Sequence, residues 1–123
     1  MRENRPSEHS EQVAVVRVLR RAGLLYCAVP NGGKRGRKEA IAFRQEGVVA
    51  GVPDLLIFTK PSGPVDYVGT ALEMKRQGGV PSDVRPEQRK WLRQLRELGW
   101  ATVVGFGCDD ALAKLRELGY GGL

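Results

Sequence analysis

The residues of this sequence best suited to chemistry are two acids and a lysine on neighbouring predicted strands. Asp54 opens an apolar run that follows Gly51-Val52-Pro53, and Glu73 and Lys75 lie two residues apart in the next β-type segment. Alternation along a strand directs Glu73 and Lys75 to the same face, about 6.6 Å apart. Because acids and a lysine that converge on a sheet carry a desolvation cost, something must compensate for it.

Two interpretations of that compensation remain open. In the first, Lys75 forms a salt bridge with Glu73 or Asp54 at the edge of the sheet. In the second, two carboxylates, one backbone carbonyl and several waters form the octahedral oxygen shell that Mg²⁺ prefers. Mn²⁺ also takes oxygen ligands, so it is an alternative ion. Beside such an ion, Lys75 would orient or deprotonate a water molecule.

The amino-acid composition excludes several classes of metal site and indicates the charge of the partner. The single histidine, His9, excludes His-rich zinc sites, H-E-x-x-H proteases and multi-His nucleases. The 123-residue chain has 20 Lys and Arg against 14 Asp and Glu, a net charge of +6. This excess predicts an anionic partner, of which nucleic acid is the commonest.

A Gly-spaced basic stretch at 31–38 is the strongest candidate for contact with phosphates. A Gly-rich backbone can lay several cations along a nucleic-acid strand, whereas the basic clusters at 17–21 and 85–96 could equally solvate outer helix faces. The candidate DNA contacts in the stretch are Asn31, Lys34, Arg35, Arg37 and Lys38.

The hydrophobic pattern predicts the element order α-β-α-β-β-α-β-α. Helices are expected over 7–22, 38–46, 86–98 and 109–118, and strands over 24–29, 54–59, 67–76 and 101–106. The turn-rich residues 60–66 predict an antiparallel hairpin, and the helix over 86–98 predicts a parallel crossover. We therefore expect an α/β fold with a mixed four-stranded sheet flanked by helices. Residues 1–6 are expected to be a disordered tail and residues 7–123 a single domain.

The sequence also indicates a cellular compartment. No run approaches the roughly 20 apolar residues of a membrane-spanning helix, and the polar start does not resemble a signal peptide. Cys27 and Cys108 lie too far apart for a C-x-x-C pair, and we interpret them as reduced core thiols. A cytoplasmic protein with no membrane partner is expected, in a bacterium or in the host cell of a virus.

Taken in order, these motifs resemble the PD-(D/E)xK nucleases and, more narrowly, a stand-alone VRR-NUC (virus-type replication–repair nuclease) domain. The resemblance covers about residues 7 to 118, and it implies the restriction-endonuclease-like fold. The segments that carry it are Asn31-Gly32-Gly33-Lys34-Arg35, Gly47 to Asp54, Glu73-Met74-Lys75, Gln88 and Gly99-Trp100.

The resemblance implies a role for each matching site residue. Asp54 and Glu73 would hold the divalent metal, with the Met74 carbonyl as a third protein ligand. Lys75 would position the attacking water. Gln88 matches the helix glutamine of the family, and its spacing from Trp91, Leu92 and Leu95 also predicts that it points inward, although an inward glutamine can simply satisfy a buried backbone group.

The family also has an acid on its first helix. Glu8 fits that pattern best and Glu11 is a rival, while an exposed acid favoured by the helix dipole is the alternative for both. One departure concerns the Gln88 helix, where Arg85 replaces the usual capping Ser, so that the helix start could shift by a residue or two.

The implied activity is that of a Mg²⁺-dependent DNA endonuclease of DNA repair that leaves 5′-phosphate and 3′-hydroxyl ends. Branched substrates are expected, either flaps or four-way (Holliday) junctions, recognised by DNA shape. A homodimer would place two sites on opposing strands, but the sequence gives no direct sign of one. Two alternatives remain: a non-catalytic basic nucleic-acid-binding module, and a toxin-like or restriction-type nuclease with sequence preference.

Overall fold

The computed structural model describes residues 5–30 and 36–123 of the chain. The predicted order of helices and strands is confirmed, with one additional 3₁₀ turn at Pro81–Asp83. The helices are α1 (Glu8–Arg21), α2 (Arg37–Gln45), α3 (Pro86–Glu97) and α4 (Cys108–Leu118), and the strands are β1 (Tyr26–Ala28), β2 (Leu55–Ile57), β3 (Thr70–Lys75) and β4 (Ala101–Phe106).

The four strands form one mixed sheet in the order β1-β2-β3-β4. The hairpin pair β2 and β3 is antiparallel, as is β1 with β2, and β3 runs parallel to β4 after the α3 crossover. Strands β1 and β2 are shorter than the sequence predicts, with three residues each, since their pairing ends at Ala28 and Leu55. All six residues of β3 are buried, so any charged side chain on this strand is largely withdrawn from water.

One face of the sheet forms the hydrophobic core. Leu72 and Met74 of β3 pack there against residues of α1 and α4, which include Val15, Leu19, Ala111 and Leu115. Since side chains alternate along a strand, Glu73 and Lys75 project from the opposite face. That opposite face is covered by α3.

Helix α3 begins with Pro86 at its first position and is followed by Gly99 in a left-handed conformation. Its buried residues are Gln88, Leu92 and Leu95, so the predicted inward stripe is present. Leu98, which continues the helical spacing of this stripe, is 71% exposed because it lies just beyond the last helical turn.

The expectation of two core thiols is wrong for Cys27, whereas Cys108 packs against the core. Cys27 is exposed, since it lies on the edge strand β1, and Cys108 is half-buried at the start of α4; both are free thiols. Among the described helices, none combines the length and the apolar character needed to span a bilayer.

Candidate active site

A cavity of about 570 Å³ opens where the start of α1, the segment before β2, the end of β3 and the start of α3 meet. Every residue that the sequence analysis proposed as catalytic lines it: Glu8, Asp54, Glu73, Lys75 and Gln88. The fold therefore brings together side chains that are separated by up to 80 positions in the sequence.

Asp54 is held between two strands. Its backbone carbonyl accepts the Val29 N–H at 2.9 Å, and its Oδ2 accepts the Met74 N–H at 2.7 Å. The Lys75 carbonyl accepts the Gly107 N–H on the β4 side, so the backbone groups of Met74 point to the opposite side, toward Asp54. One Asp54 oxygen is thus fixed against β3, beside the edge to which the Met74 carbonyl is directed.

Glu73 is almost fully buried, with 2% of its surface exposed. Gln88 Nε2 donates to Glu73 Oε2 at 3.2 Å, and Lys75 Nζ lies 3.7 Å from the same oxygen. Burial, the Asp54 charge and a hydrogen bond between the two carboxyls raise the pKa of Glu73 to about 8, against the opposing effect of Lys75. Without a metal ion, a pKa of about 8 favours the protonated form of Glu73 near neutral pH.

Lys75 and Gln88 share a buried hydrogen bond. Lys75 Nζ donates to Gln88 Oε1 at 2.9 Å, and the same oxygen accepts the Arg85 backbone N–H at 2.9 Å. Gln88 therefore satisfies a backbone N–H and also contacts both charged residues of β3. It fits both interpretations, a structural glutamine and a glutamine of the site. Its side-chain oxygen accepts the backbone N–H of the residue before α3, which is the N3 half of a capping box, and this holds the helix start at Pro86 although Arg85 provides no side-chain cap.

The two candidate acids of α1 lie in different surroundings. Glu8 lines the cavity, where burial raises the pKa of its carboxyl; Lys75 and Arg85 oppose this rise, and Asp54 adds to it.

Glu11 is buried and lies away from this cavity. Its carboxylate accepts the backbone N–H of Cys108 at the start of α4. Glu11 therefore satisfies a donor that the helix itself cannot. Of the two acids, only Glu8 is placed to act on a group bound beside Asp54 and Glu73.

The oxygen atoms around the cavity fit a hard divalent cation. Within residues 5–30 and 36–123, no three Asp, Glu, His or Cys side chains are grouped closely enough to hold a metal. A dication would therefore have the Asp54 and Glu73 carboxylates and the Met74 carbonyl as its protein donors, and Mg²⁺ commonly completes such a set with waters. A dication would also neutralise the repulsion that keeps Glu73 protonated.

The salt-bridge interpretation is present in the structure but is incomplete. Lys75 Nζ and Glu73 Oε2 are buried and 3.7 Å apart, so they form an ion pair when Glu73 is ionised. A single lysine, however, does not offset the effects of burial and of Asp54, so the pKa of Glu73 rises despite Lys75.

The predicted DNA contacts do not line the cavity where the structure describes them. Arg37 and Lys38 are exposed in the first turn of α2. Asn31, Lys34 and Arg35 lie outside the described residues.

Two arginines of the cavity were not proposed as site residues from sequence. Arg76 directly follows Lys75, and Arg85 directly precedes α3; both line the cavity. Arg85 also lies 3.4 Å from the exposed Glu87. Their positions beside the E-x-K motif and the Gln88 helix are the signal that could have identified them, because a phosphodiester substrate needs cations next to the reacting group.

Comparison with known proteins gives two matches. The family model of the VRR-NUC domain matches residues 6–105, a span that includes every residue of the site. A solved structure titled "VRR_NUC domain protein" superposes with a TM-score of 0.71 at 23% identity, over 97% of this chain and 93% of that one. At this identity the superposition indicates a common fold. A search of curated protein sequences gives no match.

Proposed function

Because this chain belongs to the VRR-NUC family of nuclease domains, we propose that it is a divalent-metal-dependent DNA endonuclease. The observation that carries the proposal is that Asp54, Glu73 and Lys75 line one cavity, with Lys75 Nζ 3.7 Å from Glu73 Oε2. Two acids and a lysine arranged in this way can hold a metal ion and a water on the same phosphate. The net charge of +6 suits a polyanionic substrate.

Asp54, Glu73 and the Met74 carbonyl would hold the ion. When bound, Mg²⁺ or Mn²⁺ supplies charge stabilisation at the phosphate oxygens and lowers the pKa of the attacking water. Lys75 donates a hydrogen bond that orients this water for in-line attack on phosphorus, and Gln88 keeps Nζ in place. The expected products carry 5′-phosphate and 3′-hydroxyl ends.

Charged residues at the cavity mouth extend this scheme. Glu8 interacts electrostatically with Asp54 and Lys75, and we assign it hydrogen bonds to waters around the ion. Arg76 and Arg85 line the same cavity and would bind the phosphate oxygens next to the scissile bond.

For substrate and setting, we propose branched DNA, either flaps or four-way junctions, cut in DNA repair. Exposed basic residues on α2 and α3 support recognition through phosphates, with selectivity that comes from DNA shape. A homodimer would cut two opposing strands of a junction. We place the protein in the cytoplasm, with residues 7–123 acting as one nuclease domain.

The test is a cleavage panel of single-stranded, duplex, flap, splayed-arm and four-way-junction DNA with Mg²⁺, Mn²⁺ or EDTA. Asp54→Ala, Glu73→Ala and Lys75→Ala should each abolish cutting while circular dichroism shows the fold retained. Asp66→Ala is a matched control, because Asp66 is an exposed acid that pairs with Lys60 at 2.8 Å outside the cavity. Undiminished cutting by any of the three variants would remove that residue from the mechanism.

Calorimetry with Mg²⁺ and Mn²⁺ separates the rival functions. A nuclease should show a metal site that disappears in Asp54→Asn. DNA binding without such a site and without cutting would identify a non-catalytic binding module. Equal cutting of random linear duplex and branched DNA would favour a restriction-type enzyme.

A further inference from the structure

A second cavity, of about 380 Å³, lies between α3 and β4 on the face of the sheet that carries Glu73 and Lys75. The segment from Pro81 to Arg85 divides it from the candidate active site, because Pro81 and Val84 line the second cavity while Asp83 and Arg85 line the first. We refer to it as the α3–β4 cavity.

The floor of the α3–β4 cavity is apolar. Val84 and Leu92 are each 5% exposed, and Val104 and Phe106 of β4 complete the floor. The Lys114 ammonium group lies 5.2 Å from the centre of the Phe106 ring. Because these floor residues are apolar, the floor can accept a flat apolar group. The Lys114 contact shows that a cation lies near the Phe106 ring.

The rim of the cavity is cationic. Arg89, Arg93 and Arg96 are spaced four and three residues apart, so they form one line along α3. Arg89 donates to the Val84 carbonyl at 2.5 Å and Arg96 donates to Thr102 Oγ1 at 3.0 Å, which fixes both guanidinium groups at the rim. In residues 5–30 and 36–123, no carboxylate forms an ion pair with any of the three arginines.

The register of the sheet places this cavity next to the reacting groups. Val104 pairs with Glu73, and Phe106 pairs with Lys75, across neighbouring strands. Neighbouring strands are about 4.8 Å apart. A DNA strand that is bound for cleavage at Glu73 can therefore place an adjacent nucleotide over the floor formed by Val104 and Phe106.

We propose that the α3–β4 cavity binds one unpaired nucleotide of the DNA strand that is being cut. The base lies on the apolar floor and its phosphate contacts the arginine line. A duplex offers only phosphates here because its bases are stacked inside the helix, whereas an unpaired base exposes its face. An acidic peptide would satisfy the arginines and leave the floor uncovered. The identity of the ligand as DNA rests on the proposed function.

The test measures binding in EDTA, so that it does not depend on catalysis. Fluorescence anisotropy would compare a short oligothymidylate with an abasic deoxyribose-phosphate oligomer of equal charge. Arg93→Glu is the test variant, since Arg93 is exposed and has no hydrogen bond or ion pair to another described residue. Arg17→Glu is the matched control, because Arg17 is exposed on α1, which packs on the opposite face of the sheet.

Arg93→Glu should weaken oligothymidylate binding about tenfold. It should also reduce the slope of log K against log salt concentration by about one, whereas Arg17→Glu should have a much smaller effect. The wild-type protein should bind oligothymidylate at least about fivefold more tightly than the abasic oligomer, since one base contact contributes about 1–3 kcal/mol. Thermal melting should be unchanged in both variants.

Equal losses in the two variants, equal affinity for the abasic oligomer, or equal competition by an oligoglutamate of the same charge would each overturn the proposal. The proposed function is tested separately by cutting in Mg²⁺. A protein that prefers oligothymidylate through Arg93 and never cuts DNA would refute the nuclease and retain the nucleotide site.

Discussion

Lys75 and the backbone of Arg85 share one acceptor, the Gln88 side-chain oxygen, each at 2.9 Å. The position of the β3 lysine and the start of α3 are therefore set by the same atom. Gln88 Nε2 adds a contact to Glu73 at 3.2 Å, so a single side chain ties α3 to both charged residues of β3.

Gln88→Ala should lower kcat for DNA cleavage by about 10- to 100-fold with a smaller change in KM, because Lys75 loses the group that orients it. It should also lower the free energy of unfolding by about 1–3 kcal/mol, since a buried ammonium and a backbone N–H lose their acceptor. Steady-state kinetics and urea unfolding measure the two effects. Gln94→Ala, on the exposed side of α3, should change neither, and wild-type kinetics in Gln88→Ala would contradict the assignment.

The stability of the metal-free protein should fall as the pH rises from about 5 to 8. In the unfolded chain Glu73 loses its proton near the ordinary pKa of 4.5, whereas the folded protein retains it up to about 8. Over this window the folded state binds more protons, so the free energy of unfolding decreases with pH and levels off above the folded pKa. Urea unfolding in EDTA at several pH values measures the change.

Glu73→Gln should remove most of this decrease, because a glutamine has no proton to lose. Excess Mg²⁺ should reduce the decrease in the wild-type protein, since the ion replaces the proton. A pH dependence shared by wild type and Glu73→Gln would show that other groups cause it.

Substitution of the two acids of α1 should have different effects, one on cleavage activity and the other on stability. Glu8→Gln should lower cleavage and leave the free energy of unfolding nearly unchanged, because Glu8 lies at the cavity mouth. Glu11→Gln should lower stability by about 0.5–2 kcal/mol, the range for loss of a charged cap, and retain the cleavage rate. Measuring both quantities in both variants provides mutual controls, and a reversed result would exchange the roles of the two acids.

Gly51 should tolerate alanine less well than Gly47. Both have positive φ, +96° and +100°, but a Cβ at Gly51 would lie 2.8 Å from the Glu87 carbonyl oxygen while one at Gly47 meets nothing within 4 Å. Gly47→Ala should cost about 1 kcal/mol from backbone strain alone. Gly51→Ala should cost more and also slow cleavage, because it pushes on the turn of α3 that carries Gln88. Equal urea midpoints and equal cleavage rates would contradict this.

The sequence predicted the parts of the site that depend on local periodicity. Strand alternation is strict, so Glu73 and Lys75 had to share a face, and helical spacing placed Gln88 inward with Leu92. The contact from Asp54 to Met74 depends on the register between β2 and β3, which no local pattern specifies.

Local patterns in the sequence do not decide features that depend on a remote partner. Glu8 and Glu11 are one turn apart on α1, and only the packing of α4 decides which one is drawn to the Cys108 N–H. The exposure of Cys27 follows from the strand order, in which β1 has a single neighbour.

The hydrogen bond from the Met74 amide to Asp54 limits how a metal can be held. One oxygen of that carboxylate already accepts a hydrogen bond, which favours coordination of an ion through the other oxygen alone. Calcium prefers six to eight oxygens and often takes both from one carboxylate, whereas magnesium accepts single oxygens and retains much of its hydration. We therefore expect the strand backbone to favour binding of magnesium over calcium at this site.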